Sequence, residues 1–185
     1  ETAAAHAAAA RRLLASVRPD GTVAYRPNAS GVDYGRTHDA DHANGLSARV
    51  VAEALESARF AGDAALIEQA LTALRQLSRT YAGSVPRGAQ TWEVPLHTPD
   101  ILAAAHLVRA FTIGYELTGD RGLLDEAVAW AWTGLPFLYL ADPVGTADGP
   151  YGCVTVFGAT AWKSPVWIGR PVQWCGLVYA HALYR

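Results

Sequence analysis

The chain has 185 residues, of which 51% are hydrophobic and 17% charged, and its formal net charge is −2. That length suits one domain with ample apolar surface for a core, and mixed signs without a basic stripe argue against nucleic acid as a partner. No apolar run is long enough to span a bilayer, so no membrane partner is expected, and Ala-rich residues 2–10 are not a signal peptide, because Arg11 and Arg12 follow the apolar part instead of preceding it.

Residues 2–17 read as a first helix of high propensity, stopped by the turn residues Pro19-Asp20-Gly21. Thr22-Val23-Ala24-Tyr25 reads as a short strand, and the loop from Pro27 to Thr37 is rich in Asn, Ser and Gly. A second helix is expected to start near Asp39 or Asp41 and end at Gly62. A third, over about 63–82, carries Leu66, Ile67, Ala70, Leu71, Leu74, Leu77 and Tyr81 at helical spacing, with Glu68, Gln69, Arg75, Gln76 and Arg79 opposite, so it should lie outside with water on one flank. After a long loop from Gly83 to His97, the fourth helix (Ile101 to Leu117) is interrupted only by His106, Arg109 and Glu116 and should be buried. Thr98 reads as its N-cap, Pro99 as N1 and Asp100 as a first-turn dipole partner. A fifth helix is expected from about Arg121 to Trp132, ended by Gly134 with Pro136. Residues 136–170 form the longest connection, in which 151–157 read as a strand, and a sixth helix starts near Pro171.

Gly62-Asp63-Ala64-Ala65-Leu66-Ile67-Glu68-Gln69-Ala70 aligns with Gly119-Asp120-Arg121-Gly122-Leu123-Leu124-Asp125-Glu126-Ala127. A short Gly-Asp turn therefore joins a buried helix to an amphipathic one twice, which means a repetitive helical architecture. Long loops lead into the second, fourth and sixth helices and short turns leave the second and fourth. With those helices parallel, the long loops and three helix N-termini share one face, where the helix dipoles favour negative charge.

Thr91-Trp92-Glu93-Val94-Pro95-Leu96-His97-Thr98-Pro99-Asp100 sets a ring, two carboxylates and an imidazole in the loop entering the buried helix. Glycoside hydrolysis generally uses two carboxyls, one to protonate the leaving oxygen and one to activate water or attack. Glu93 beside Trp92 is the candidate acid, with Asp41, Asp39 and Asp100 as partners; the alternatives are a loop salt bridge from Glu93 to Arg87 and, favoured for Asp100, the dipole role. His38, Asp41, His42 and His97 could bind a divalent metal, but the spacing matches no metal motif and capping with substrate hydrogen bonds is the preferred reading, so no cofactor is expected. Alternatively, one of these histidines is the base of a uronate lyase, with Arg36, Arg170 or Lys163 neutralising the carboxylate. Trp92 and Trp162 lead the stacking candidates, with Tyr151, Trp167 and Trp174, because sugar rings present flat C–H faces to indole. Gln173, beside Trp174 on the sixth helix, is a further substrate-binding candidate, while Trp130, Trp132, His106 and His181 read as packing residues. Cys153 and Cys175 either form one bridge or are two buried thiols.

The alternation of outer helix, long loop, inner helix and short turn resembles the six-hairpin (α/α)6 toroid of carbohydrate-active enzymes, which includes glycoside hydrolases and polysaccharide lyases. The Gly-Asp turns and Trp92-Glu93-Val94-Pro95-Leu96-His97-Thr98-Pro99-Asp100-Ile101-Leu102 carry the likeness, and Gly169-Arg170-Pro171-Val172-Gln173-Trp174-Cys175-Gly176 is similar to a segment of uncharacterised bacterial members. The expectation is an all-α chain whose helical hairpins form about half of an (α/α)6 toroid, with short strands in the long loops. Residues 1–185 would be one partial domain, a fragment with more of the fold on the C-terminal side. The resemblance implies a carbohydrate substrate and a glycoside hydrolase working through carboxylates, with two alternatives: a His-base polysaccharide lyase, or a non-catalytic module binding glycan or protein. A location outside the cytoplasm, periplasmic or secreted, is slightly preferred.

Overall fold

The structure is a computed structural model that describes residues 2–27, 39–92, 94–139, 152–156 and 173–185, the last without the Gln173 side chain. Within them lie six α-helices: α1 (Ala3–Leu14), α2 (Asn44–Ala61), α3 (Ala64–Tyr81), α4 (Ile101–Thr118), α5 (Arg121–Gly134) and α6 (Gln173–Tyr184), with a 3-10 turn at Leu135–Phe137. None is long and apolar enough to cross a membrane.

The repeated turn has a local cause. Gly62 ends α2 at φ 65° and Gly119 ends α4 at φ 71°, left-handed conformations that glycine adopts without Cβ strain. The next residue caps the following helix in both cases: Asp63 accepts the N–H groups of Ala65 and Leu66, and Asp120 accepts that of Gly122.

Other boundaries depart from expectation. Helix α1 stops at Leu14, because the chain turns so that Arg18 N–H reaches Thr22 O at 2.8 Å and Val17 bridges Val23. Among the described residues Thr22–Tyr25 makes that single bridge and no ladder. Helix α2 begins at Asn44, not near Asp39 or Asp41. Both acids are engaged elsewhere, Asp41 on Arg18 and Asp39 on Arg87, and the N-cap Ala43 offers no side-chain acceptor. Instead, the fully buried Asn44 receives Arg87 N–H on Oδ1 and donates to Ser84 Oγ and Val85 O. At α4 the N-cap is Asp100, not Thr98; Pro99 is held extended by its bridge to Arg87. Helix α5 does end at Gly134, where Tyr179 of α6 packs so close that a Cβ would collide with its ring.

Helices α2 and α4 lie side by side and parallel. At their starts Gly45 approaches Ala103 so closely that a Cβ would sit 2.5 Å from that methyl carbon; at their ends Arg59 pairs with Glu116 at 2.8 Å. Helix α6 runs the same way against α4, with Trp174 near the loop into α4 and Arg185 bonded to Glu116 and Glu56 at the far end. Helices α1 and α3 pack on α2, and α5 packs on α4. Leu55, Leu71, Leu74, Leu77, Phe111, Ile113, Phe137 and Tyr179 form the centre of the core between these layers. Each buried leucine or phenylalanine contributes about 1.5–3 kcal/mol over its exposed form.

Residues 152–156 run extended between two partners: Val154 N–H reaches Phe137 O at 2.7 Å, and Ile101 N–H reaches Thr155 O at 3.2 Å. Among the described residues this segment makes isolated bridges only, Leu138 with Cys153 and Asp100 with Val156. Cys153 and Cys175 are both buried and no disulfide joins them. Burial pushes the Cys153 thiol up to about 11, against the Gly176 N–H that favours its charged form.

Candidate functional site

The starts of the three parallel helices α2, α4 and α6 lie at one end, and the loop 82–100 crosses it. Two backbone ties fix that loop to α2: Gly45 N–H reaches Arg87 O at 2.9 Å, and Arg87 N–H reaches the Asn44 side chain. A third holds it to itself. The fully buried Asp100 carboxylate accepts Ala103 N–H on Oδ1 at 2.7 Å and Ala89 N–H on Oδ2 at 2.9 Å. Burial pushes this carboxyl up to about 6, and the N–H donors from Ala89, Ala103 and Gln90 pull it down. Asp100 thus has both oxygens occupied and none facing solvent, which is a structural role. Gln90, also buried, donates to Thr155 O at 2.8 Å and ties the loop to 152–156.

His42 and His97, far apart in sequence, come together: His97 Nε2 lies 2.9 Å from His42 O. A carbonyl only accepts, so Nε2 of His97 carries the proton. His42 Nδ1 lies 2.7 Å from the Tyr81 hydroxyl, which is also 3.3 Å from Ser47 Oγ. Ser47 in turn donates to Ala43 O and accepts Val23 N–H. The Tyr81–His42 bond orients the imidazole whichever ring nitrogen holds the proton. Burial raises the Tyr81 hydroxyl to about 12, so it keeps its proton at neutral pH. Asp41 faces Arg18 in a two-pronged ion pair at 2.8 and 2.5 Å, and the hydrogen bonds from Arg18 hold its carboxyl below the ordinary range. Asp39, with a largely exposed side chain, accepts from Arg87 at 3.1 Å. The Nε atom of Arg87 is buried and has no hydrogen-bond partner among the described residues.

Trp92 of the loop and Trp174 of the first turn of α6 form the second cluster. Their ring centroids are 5.9 Å apart with planes tilted by 34°, within the range of favourable aromatic pairs. They remain 39% and 46% exposed, so the pair presents indole surface to solvent.

Of the residues singled out from sequence, His42, His97, Trp92 and Trp174 occupy this end of the molecule, with Asp41 turned to Arg18 and Asp100 buried beneath. Glu93, Arg36, His38, Tyr151, Trp162, Trp167, Lys163 and Arg170 lie outside the described residues, as does the side chain of Gln173, which opens α6. No group of three or more His, Cys, Asp or Glu able to hold a metal occurs among the described residues. Sequence reasoning missed Tyr81, Ser47 and Arg18. Tyr81 carried a signal, since it ends the apolar stripe of α3 with a hydroxyl that needs a partner once buried. No family model, curated protein or solved structure matches this chain.

Proposed function

We propose that the chain acts on a carbohydrate as a glycoside hydrolase and that its helical hairpins form about half of an (α/α)6 toroid. The single observation that carries this reading is the exposed Trp92–Trp174 pair beside the inner-helix starts, a surface suited to the C–H face of a sugar ring. The repeated Gly-Asp turns and the parallel run of α2, α4 and α6 support the toroid. Glu93, next to Trp92 in sequence, is the proposed acid, protonating the leaving glycosidic oxygen while a second carboxylate assists water at the anomeric carbon. With Asp100 engaged as a buried cap and Asp41 by Arg18, Asp39 is the remaining partner from the sequence analysis.

The His42–Tyr81 hydrogen bond favours a second reading, β-elimination of a uronate, because it holds an imidazole in one orientation near the same surface. Incubation with neutral and uronate glycans, following reducing ends and unsaturated-uronate absorbance together, separates the two. Reducing ends without absorbance, lost in Glu93→Gln, would support hydrolysis. Absorbance lost in His42→Gln would support elimination. Tryptophan quenching by a glycan with no turnover would leave a binding module, and silence in all three measurements would reject a carbohydrate role.

A further inference from the structure

Away from the loop end, a cavity of about 340 Å³ opens between α2, α4 and α6, lined by Glu56, His106, Arg109, Val178, His181 and Arg185 among others. His181 lies about two turns, roughly 10 Å, along α6 from Trp174, so this cavity is separate from the aromatic pair. Its charged wall is one network. Glu56 is bridged by Arg109 and by Arg185, and Glu116 by Arg185 and Arg59. At the cavity itself two guanidinium side chains, Arg109 and Arg185, face one carboxylate side chain, Glu56, which leaves a cationic excess of side-chain charge. The Arg109 Nε and one terminal nitrogen are used on Glu56, and its remaining terminal nitrogen makes no hydrogen bond among the described residues.

His106 is part-buried against this wall and its imidazole makes no hydrogen bond among the described residues. Burial, reinforced by Arg49 and Arg109, holds it neutral and lowers it to about 3. A neutral imidazole still offers one N–H donor. Opposite stands the exposed His181, and Val178, Ala105 and Ala182 supply an apolar floor. Donors without acceptors, a cationic excess and a small volume suit one kind of ligand. We propose that this cavity is a binding site for a small oxyanion, a carboxylate or a phosphate, held by Arg109, His106 and His181.

The test is side-chain NMR of the histidines in the labelled protein, with His106→Gln and His181→Ala used for assignment. Sodium phosphate and sodium acetate replace chloride at constant ionic strength in parallel arms. The expected result is a saturable shift of His106 and His181 with His42 and His97 unmoved, and binding weakened about tenfold or more in Arg109→Gln. Saturation by phosphate alone assigns a dianionic ligand, and saturation by acetate assigns a carboxylate. If Arg109→Gln fails to fold, the exposed His181→Ala serves instead, observed at His106. Shifts that stay linear in both anions, shifts shared by His42 and His97, or affinity unchanged in the variants would overturn the proposal.

Discussion

Asp100 reaches back across its own loop to Ala89, accepting that backbone N–H at 2.9 Å while capping α4 through Ala103. One buried carboxylate therefore joins a helix start to the loop that carries Trp92 and His97. Removing it in Asp100→Ala deprives the Ala89 and Ala103 N–H groups of this acceptor, each worth about 1–3 kcal/mol when buried. Amide hydrogen exchange at Ala89 and Ala103 should then speed up by about tenfold or more. Unchanged protection at both amides would show that the loop is held by other ties.

The same group makes stability depend on pH with an unusual sign. Burial raises its folded-state value from 3.8 to about 6, so the folded state binds the proton more tightly than the unfolded state. Its contribution is fully present below about pH 4 and is lost as pH rises through about 6, a change of up to about 3 kcal/mol. Glu56 and Glu116 have lowered values and act in the opposite sense, so the difference between the wild type and Asp100→Asn isolates the effect. Urea unfolding between pH 4 and 7 should show the wild type losing stability relative to Asp100→Asn. Parallel curves would mean that Asp100 titrates normally.

The two hairpin glycines should respond differently from Gly45. A Cβ at Gly62 or Gly119 meets nothing within 4 Å, so Ala there costs only the left-handed strain, about 1–2 kcal/mol. At Gly45 the φ angle is ordinary, yet a Cβ would collide with Ala103 and with Arg87 O, forcing α2 and α4 apart. Gly45→Ala should cost about 1–3 kcal/mol and lower the melting temperature, and Gly45→Ala with Ala103→Gly should recover part of it.

Tyr81→Phe removes the hydroxyl that orients His42 and leaves the packed ring in place. The expected loss is about 1 kcal/mol of stability, with the His42 ring resonances shifting and broadening. An unchanged His42 spectrum would show that the hydroxyl does not orient the ring.

The tryptophan pair is testable without knowing the sugar. A double-mutant cycle on Trp92→Ala and Trp174→Ala, read by thermal unfolding, should give a coupling of about 0.5–1.5 kcal/mol. Additive single variants would mean that the rings do not hold one another in solution.

What this sequence determines by itself is whatever its neighbours along the chain control. The Gly-Asp turns and the amphipathic stripe of α3 act within a few residues, so spacing and residue type are enough to read them. What needed the tertiary structure depends on partners distant in the chain. Asp39 and Asp41 look like helix caps until Arg87 and Arg18 engage them, which moves the start of α2 to Asn44. Thr98 looks like the cap of α4 until the bridge from Pro99 to Arg87 and the burial of Asp100 shift that role. The meetings of His42 with Tyr81, His97 with the His42 carbonyl and Trp92 with Trp174 likewise join different elements. A side chain with several possible partners goes where burial and charge together lower the free energy most, and only the packed helices decide that.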